Sequence, residues 1–245
     1  MARINTKGLL TGTVGNYSFK ILNGVAVVQS KPGKGGVKQT TATKSSASEF
    51  GNAHAVAKQI RLAQFPLLQD LSDARMYNRF ATAIYKTILS AKDMPKGERT
   101  LADGDLENLE HFQFNADSPF YKYCNAPMEV SLNEENRIAI SIDSFDAKKD
   151  IESPENASEA KLAFLVTTFH PKDGTESHAE LFQFTFALSN DATAPQQWAS
   201  EVLPAGSIAL VSVALFYSCK NNLIGSVGLN SKKLHPSEII KAFRL

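Results

Sequence analysis

The first 48 residues of the chain contain no aspartate and no glutamate, and the first acid is Glu49. The same stretch carries seven cations, which are Arg3, Lys7, Lys20, Lys31, Lys34, Lys38 and Lys44. The remaining 197 residues carry 19 Lys and Arg against 25 Asp and Glu, so a basic arm precedes an acidic body. A basic arm favours one of two partners: nucleic acid, whose phosphates attract cations, or the acidic body of another copy of the chain.

Cysteine is scarce and hydrophobic runs are short. Cys124 and Cys219 are the only cysteines, and their separation of 95 residues matches no metal-binding pair. We therefore predict free thiols in a reducing compartment. The longest apolar run, residues 207–219, is too short for a membrane-spanning helix, and the N-terminus lacks the apolar core of a signal peptide. We expect a cytoplasmic protein with no membrane partner, and leave open its release or non-classical export.

The residue patterns of common catalytic and metal sites are missing. The five histidines form no HExxH or HxH spacing, and the chain has no G-x-S-x-G motif. His170 and His178 bracket a predicted hairpin loop, but no cysteine or carboxylate completes a known ligand pattern there. We therefore predict a protein that is not an enzyme, with no catalytic residue, no cofactor and no metal ligand.

Residues 34–41, KGGVKQTT, are similar to KGGVGKTT, the phosphate-binding loop of a family of partition and cofactor-insertion ATPases. Lys38 stands where that loop has a glycine, and Gln39 stands where it has the lysine that neutralises the phosphates. Such a loop opens directly into a helix, whereas the first capping signals here are Ser45 and Ser46. We therefore interpret the stretch as a flexible basic linker and predict no nucleotide site.

Turn residues predict a hairpin in the N-terminal segment. Asn23-Gly24 is a strong hairpin-turn dipeptide, because both residues accept positive φ. It separates TVGNYSFKI from VAVVQSK. Residues 31–40 hold three glycines and a proline and are typical of a linker.

Helical signals follow the linker. Ser46 and Glu49 have capping-box spacing, and two apolar stripes predict helices over 46–64 and 67–91. Residues 92–119 are typical of a long connection containing a short hairpin.

The chain after Pro119 has the two-residue periodicity of strands. Strands are predicted at MEVSLN, NRIAISID, KLAFLVTTF, AELFQFTFAL and SIALVSVALFYSC. In the fourth strand, Phe182, Phe184, Phe186 and Leu188 share one face. The fifth is apolar on both faces, so we predict a central position for it.

Because strands joined by turns pair antiparallel, we predict an α+β, mainly β fold. Its body is an antiparallel, immunoglobulin-like β-sandwich with two helices and an N-terminal β-hairpin arm. The predicted segments are a basic arm and linker (1–40), a helical segment and connection (41–118) and the sandwich (119–245).

Residues 8–50 resemble the start of a bacterial family of uncharacterised proteins. Members begin with a glycine-punctuated module, a V-G-N step, a hairpin and an S-K-P exit. The matching residues are Gly12, Val14, Gly15, Asn16, Phe19, Asn23, Gly24, Val28, Ser30, Lys31 and Pro32. Glu49-Phe50 stands where the family has a K-F or R-F step, so the likeness weakens there. The resemblance implies a shared architecture and no activity or site residues.

The leading interpretation is a structural protein that assembles with copies of itself. The seven cations named above are its predicted subunit-interface residues, and the assembly is a ring, a tube or a filament, such as a phage-tail-like tube. The alternative is an accessory protein that binds nucleic acid through the same arm.

Overall fold

The computed structural model describes residues 2–22, 24–33, 36, 38–221, 223 and 225–245. Strands make up 37% of the chain and helices 24%, and the sheets are antiparallel. The predicted class, a mainly β protein with antiparallel sheets, is confirmed, whereas the immunoglobulin-like sandwich stays a prediction. The chain divides into two compact units, Met1–Lys44 and Ser45–Leu245.

The first unit contains a four-stranded antiparallel sheet. Its strands, which are neighbours in chain order, are β1 (Ala2–Ile4), β2 (Leu10–Val14), β3 (Tyr17–Leu22) and β4 (Val25–Ser30). The predicted hairpin is confirmed, since Leu22 lies opposite Val25 and Gly24 has a φ of 82°. Asn23 of the predicted turn lies outside the described residues. The sequence does not predict that β1 and β2 widen this hairpin into a sheet.

The second unit contains two antiparallel sheets. Its strands are β5 (Met128–Leu132), β6 (Ile138–Ile142), β7 (Glu159–Phe169), β8 (Glu176–Ala187), β9 (Gln196–Ala199), β10 (Ile208–Asn221), β11 (Gly225–Gly228) and β12 (Ser237–Arg244). In the five-stranded sheet, β8 pairs with β7, β7 with β10, and the other side of β10 with both β11 and β12. The three-stranded sheet has the order β5-β6-β9. The predicted central position of β10 is therefore confirmed, while β9, β11 and β12 have no counterpart in the prediction.

The five-stranded sheet buries side chains on both faces. On one face, Phe164 of β7 and Val213 of β10 share a core with Ile140 of the three-stranded sheet. The Phe182 ring of β8 stacks on the Trp198 ring of β9 at a centroid distance of 5.9 Å, which links the same two sheets. The prediction that Phe182, Phe184 and Phe186 share one face of β8 is confirmed, and the structure shows that this face packs on the core.

The other face of this sheet packs against helices. These are α1 (Thr41–Ala63), the short α2 (Phe65–Leu68) and α3 (Met76–Ser90). Phe80 and Ile84 of α3 share a second core with Ile208 and Leu210 of β10. Segments 41–118 and 119–245 therefore contribute to one core.

Helix α1 begins earlier than predicted. Thr40 caps it, since its Oγ1 accepts a hydrogen bond from Thr43 N at 3.2 Å, and the predicted start at Ser46 is wrong. The predicted capping box is wrong, because the Glu49 side chain contacts residues distant in the sequence instead of the helix start. Glu49 is buried, and its Oε1 accepts a hydrogen bond from Gly97 N at 2.7 Å and lies 3.8 Å from Arg99 Nε.

The predicted second helix, 67–91, is wrong in its first turns. Gln69 and Asp70 adopt left-handed backbone conformations with φ values of 46° and 57°, which end α2 and delay α3 until Met76. A residue with positive φ cannot continue a right-handed helix.

The hairpin predicted within 92–119 is also wrong. This connection forms two 3₁₀ turns, Leu101–Asp103 and Leu106–Leu109. Its backbone then pairs with β12: His111 N donates to Ile239 O at 2.7 Å and Phe114 N to Ser237 O at 2.9 Å. The backbone hydrogen-bond partners that a local hairpin would have supplied come instead from the end of the chain.

Two further short helices are α4 (Phe120–Tyr123) and α5 (Ala147–Asp150).

Candidate functional site

The predicted interface cations are distributed over the whole arm, residues 1–40, and the first turn of α1. Arg3 lies in β1 and Lys20 in β3, Lys7 lies in the β1–β2 turn, Lys31 and Lys38 follow β4, and Lys44 lies in α1. All six are exposed, and Lys34 lies outside the described residues. The first unit contains no carboxylate side chain to neutralise them.

The arm sheet has one apolar face. Side chains that lie directly opposite in an antiparallel sheet point to the same side, and the side alternates along each strand. Phe19 lies opposite both Gly12 and Val28, which assigns the members of this face. The apolar face carries Ala2, Ile4, Leu10, Val14, Tyr17, Phe19, Ile21, Ala26 and Val28.

The opposite face of the arm sheet is mainly polar. It carries Arg3, Thr11, Thr13, Ser18, Lys20 and Gln29, and three apolar residues, Leu22, Val25 and Val27, near the β3–β4 turn. Of the six predicted interface cations that the structure describes, only two therefore belong to a strand face, and both lie on this polar side.

The apolar face is exposed. None of the described residues from 2 to 44 is buried. Ile4 is 70% exposed, Tyr17 and Val28 are each 56% exposed, and Val14 is 53% exposed. Sheets in folded domains ordinarily pack one face on a core. The arm sheet therefore presents a row of apolar side chains to solvent. The count of cations in the arm does not predict this face. The alternation of Tyr17, Phe19 and Ile21 in β3 does indicate it.

Two long strand edges are unpaired among the described residues. In the arm, β4 pairs only with β3, and its sequence VAVVQS has no charge and no proline. In the body, β8 pairs only with β7 over 12 residues. Folded proteins usually protect such edges with lysine, proline or a covering segment. Neither β4 nor β8 contains lysine, arginine or proline.

Strand β8 carries two acidic side chains and several exposed side chains on one face. Glu176 and Glu180 lie in its first half, and Ala179, Leu181, Gln183 and Thr185 are exposed on the face opposite the phenylalanines. Leu181 is 45% exposed.

One cluster of side chains in the body could hold a metal ion. His178, Glu180 and Glu201 each offer a ligand atom, and these atoms lie within 4.8 Å of one another. One nitrogen and two carboxylate oxygens are donors that Zn²⁺ accepts. The cluster is also stable without an ion, since His178 Nε2 and Glu201 N both bond Glu180 Oε1, at 2.7 and 2.8 Å. The structure does not bring His170 to His178; His170 Nδ1 lies 3.3 Å from Asp173 Oδ1.

Residues 34–41, which are similar to a phosphate-binding loop, lead directly into a helix. Helix α1 begins at Thr41, the last residue of KGGVKQTT, so the predicted late helix start at Ser45 or Ser46 is wrong. Lys34, Gly35 and Val37 lie outside the described residues. The preceding strand, β4, belongs to an antiparallel sheet, unlike the parallel sheet that carries such loops. The absence of a nucleotide site stays a prediction.

Both cysteines are free thiols, as predicted. Cys124 is buried and Cys219 is half-buried. Burial raises the pKa of the Cys124 thiol to about 12, so it is protonated at neutral pH.

Comparisons with protein-family models, curated proteins and solved structures each gave no match. The resemblance of residues 8–50 to a bacterial family therefore stays a prediction. Within the described part of the chain, no helix is long and apolar enough to cross a bilayer.

Proposed function

We propose that this protein is a non-enzymatic structural protein that assembles with copies of itself through its basic N-terminal arm. The observation that carries the proposal is the exposed apolar face of the arm sheet. Because this sheet buries none of its described residues, contacts within its own unit contribute little hydrophobic stabilisation. Its apolar side chains would contribute that free energy once another surface covers them.

The exposed face supplies part of the free energy of association. Full burial of one large apolar side chain is worth roughly 1.5–3 kcal/mol. Ile4, Val14, Tyr17 and Val28 are each more than half exposed. Covering these four side chains contributes on the order of 4 kcal/mol. Pairing of backbone groups along a strand edge adds to this and fixes the register.

The acceptor we propose is the free edge of β8 in a second copy. Antiparallel addition of β4 to β8 extends the five-stranded sheet by the whole arm sheet. In that orientation the end of β4, followed by Lys31, meets the start of β8, where Glu176 lies. Opposite charges at this end favour the antiparallel register over the parallel one.

Such an interface uses different surfaces on the two copies. A heterologous contact of this kind gives a ring when its rotation closes and a tube or filament when it does not. The body then serves to present β8 to the arm of another copy. We propose that its three-stranded and five-stranded sheets are the two layers of an antiparallel sandwich.

Size-exclusion chromatography with light scattering tests the proposal. Full-length protein should elute as an oligomer or polymer, and protein lacking residues 1–40 should elute as a folded monomer. The truncated body should fold because, among the described residues, every buried one lies at or beyond Glu49. Reversing Lys31, Lys34 and Lys38 to Glu should weaken assembly without unfolding. A monomeric full-length protein at high concentration refutes self-assembly.

Single substitutions locate the two surfaces. Val28→Lys on β4 and Leu181→Lys on β8 should each abolish assembly, because each places a charge on an edge strand that the proposed β4–β8 pairing brings into the interface. Leu62→Lys is the matched control, since Leu62 is 50% exposed and lies on α1, in neither the arm sheet nor β8. Assembly by the Leu181 variant but not by the Val28 variant would keep the arm and reject β8 as its acceptor.

The second candidate function is nucleic-acid binding, which the six exposed cations favour. A binder that neutralises about five phosphates of duplex DNA should lose affinity with a log–log salt slope of about −4.5. We expect only weak, sequence-independent binding. Tight binding at physiological salt by a monomeric protein would favour this alternative over assembly.

A further inference from the structure

A cleft in the second unit has no part in the proposed assembly. It has a volume of 690 Å³ and lies between α3 and the end of the connection that follows it. Its lining comprises Arg75, Asn78, Arg79, Thr82, Ala83, Lys86, Asn108 and Phe112. Small-molecule sites in proteins have volumes of roughly 300–1,000 Å³. The cleft therefore has room for a small ligand.

The lining is strongly basic. Residues 75, 79, 82 and 86 follow helical spacing, so Arg75, Arg79 and Lys86 lie along one side of α3. No carboxylate belongs to the lining. Arg75 and Lys86 are exposed, and neither side chain forms an ion pair within the described part of the chain. Two unneutralised cations thus face the same cleft.

The third cation is held in position by its neighbours. Arg79 Nη2 donates to Asp73 Oδ2, and the guanidinium lies 5.1 Å from the centre of the Phe112 ring. Asp73 also accepts hydrogen bonds from Arg75 N at 2.8 Å and Ala116 N at 3.0 Å. Burial opposes ionisation of Asp73, but these bonds lower its pKa below the ordinary value, so it stays charged. The cleft keeps a positive charge after Asp73 balances Arg79.

Neutral donors complete the lining. Asn108 Nδ2 uses one hydrogen on Asp105 O at 2.8 Å, and an amide nitrogen carries a second. The amide of Asn78 lies on the same helix face as Arg75 and Lys86. Arginine forks, an ammonium group and amide donors are the combination that binds phosphate oxygens.

We propose that this cleft binds a small ligand carrying two or more linked phosphate groups. Two separated free cations match an anion of multiple charge better than a single carboxylate. A volume of 690 Å³ fits a compact ligand. The proposal is independent of self-assembly, because all of the lining residues lie in the second unit and none belongs to the arm or to β8.

Isothermal titration of the full-length protein with inorganic tripolyphosphate tests the site. The decisive variant is Arg75→Gln with Lys86→Gln, whose side chains are exposed, so the fold should tolerate both changes. Each lost charge-assisted contact should weaken binding about tenfold, and the pair about 100-fold. Circular dichroism of the variant confirms that it is folded.

The matched control is Lys232→Gln with Lys233→Gln, which removes the same charge from two exposed positions outside the cleft lining and outside the arm. It should bind tripolyphosphate as the wild type does. The proposal is overturned if this control loses binding, if the cleft variant keeps it, or if the wild type does not bind. Citrate serves as the carboxylate competitor, and equal affinity for citrate overturns the assignment to phosphate.

Discussion

Lowering the pH from about 7.5 to 4.5 should destabilise the protein through one buried histidine. His235 is fully buried in the β11–β12 connection. Its Nε2 lies 2.8 Å from Leu67 O, and its Nδ1 lies 3.0 Å from Asn230 Nδ2. A carbonyl can only accept, so Nε2 carries the hydrogen and Nδ1 must accept from the Asn230 amide.

Protonation of His235 conflicts with this network. The Asn230 side chain is fixed, because its Oδ1 accepts from Tyr217 N at 2.7 Å and its Nδ2 donates to Leu215 O at 2.9 Å. A proton on Nδ1 would therefore face another donor in a fully buried site. Burial lowers the pKa of His235 to about 4 from an ordinary 6.5, although the hydrogen bond to Leu67 O acts in the opposite direction.

The size of the effect follows from proton linkage. A pKa that is lower in the folded state means that the unfolded chain binds the proton first as the pH falls. Stability is therefore complete above about pH 6.5 and declines towards pH 4. One pH unit of pKa difference corresponds to about 1.4 kcal/mol, so the decline between pH 7.5 and 4.5 is roughly 2–3 kcal/mol.

Urea unfolding at several pH values measures this decline. His235→Gln retains a donor and an acceptor but cannot titrate, so it should cost stability at neutral pH and flatten the profile. Burial raises the pKa of Glu238, which acts with the opposite sign, but that group is unchanged in the variant. His54→Gln, at an exposed position, is the control and should keep the wild-type profile. An equally steep decline in the His235 variant refutes the assignment.

Two further predictions concern the body. Gly104→Ala should cost about 3 kcal/mol of unfolding free energy, because a Cβ at this position would lie 2.0 Å from Thr87 O. Gly51→Ala in α1 meets no atom within 4 Å and should instead stabilise by about 1 kcal/mol, so similar melting temperatures for the two variants would contradict the steric argument. Cys124 should resist alkylation in the native protein and react on unfolding, which mass spectrometry after iodoacetamide treatment measures; rapid native labelling of Cys124 would be inconsistent with its burial.

Local patterns in the sequence determine much of the strand content. The two-residue period identifies the inward phenylalanines of β8, and the unbroken apolar run identifies β10 as central. Both predictions depend on side chains only a few residues apart, because the hydrophobic pattern of a strand reflects which of its side chains are buried. The β3–β4 hairpin is predicted for the same reason, because its turn and both strands lie within 14 residues of one another.

Contacts between distant residues decide the remainder. Glu49 has the spacing of a capping box, yet Gly97, 48 residues away, takes its carboxylate, and Thr40 caps the helix instead. The connection after α3 finds its backbone partners in β12, more than 100 residues later.

The candidate sites follow the same division. The sequence by itself determines that the arm is basic and that β3 alternates, because charge and periodicity are local properties. Only the tertiary structure decides that β1 and β2 join the hairpin and complete an apolar face. It also decides that β8 is left with a free edge, and that Asn108 and Phe112 close a cleft beside the cations of α3. Strand order and loop placement depend on which distant surfaces bury each other, and no short window of sequence contains both partners.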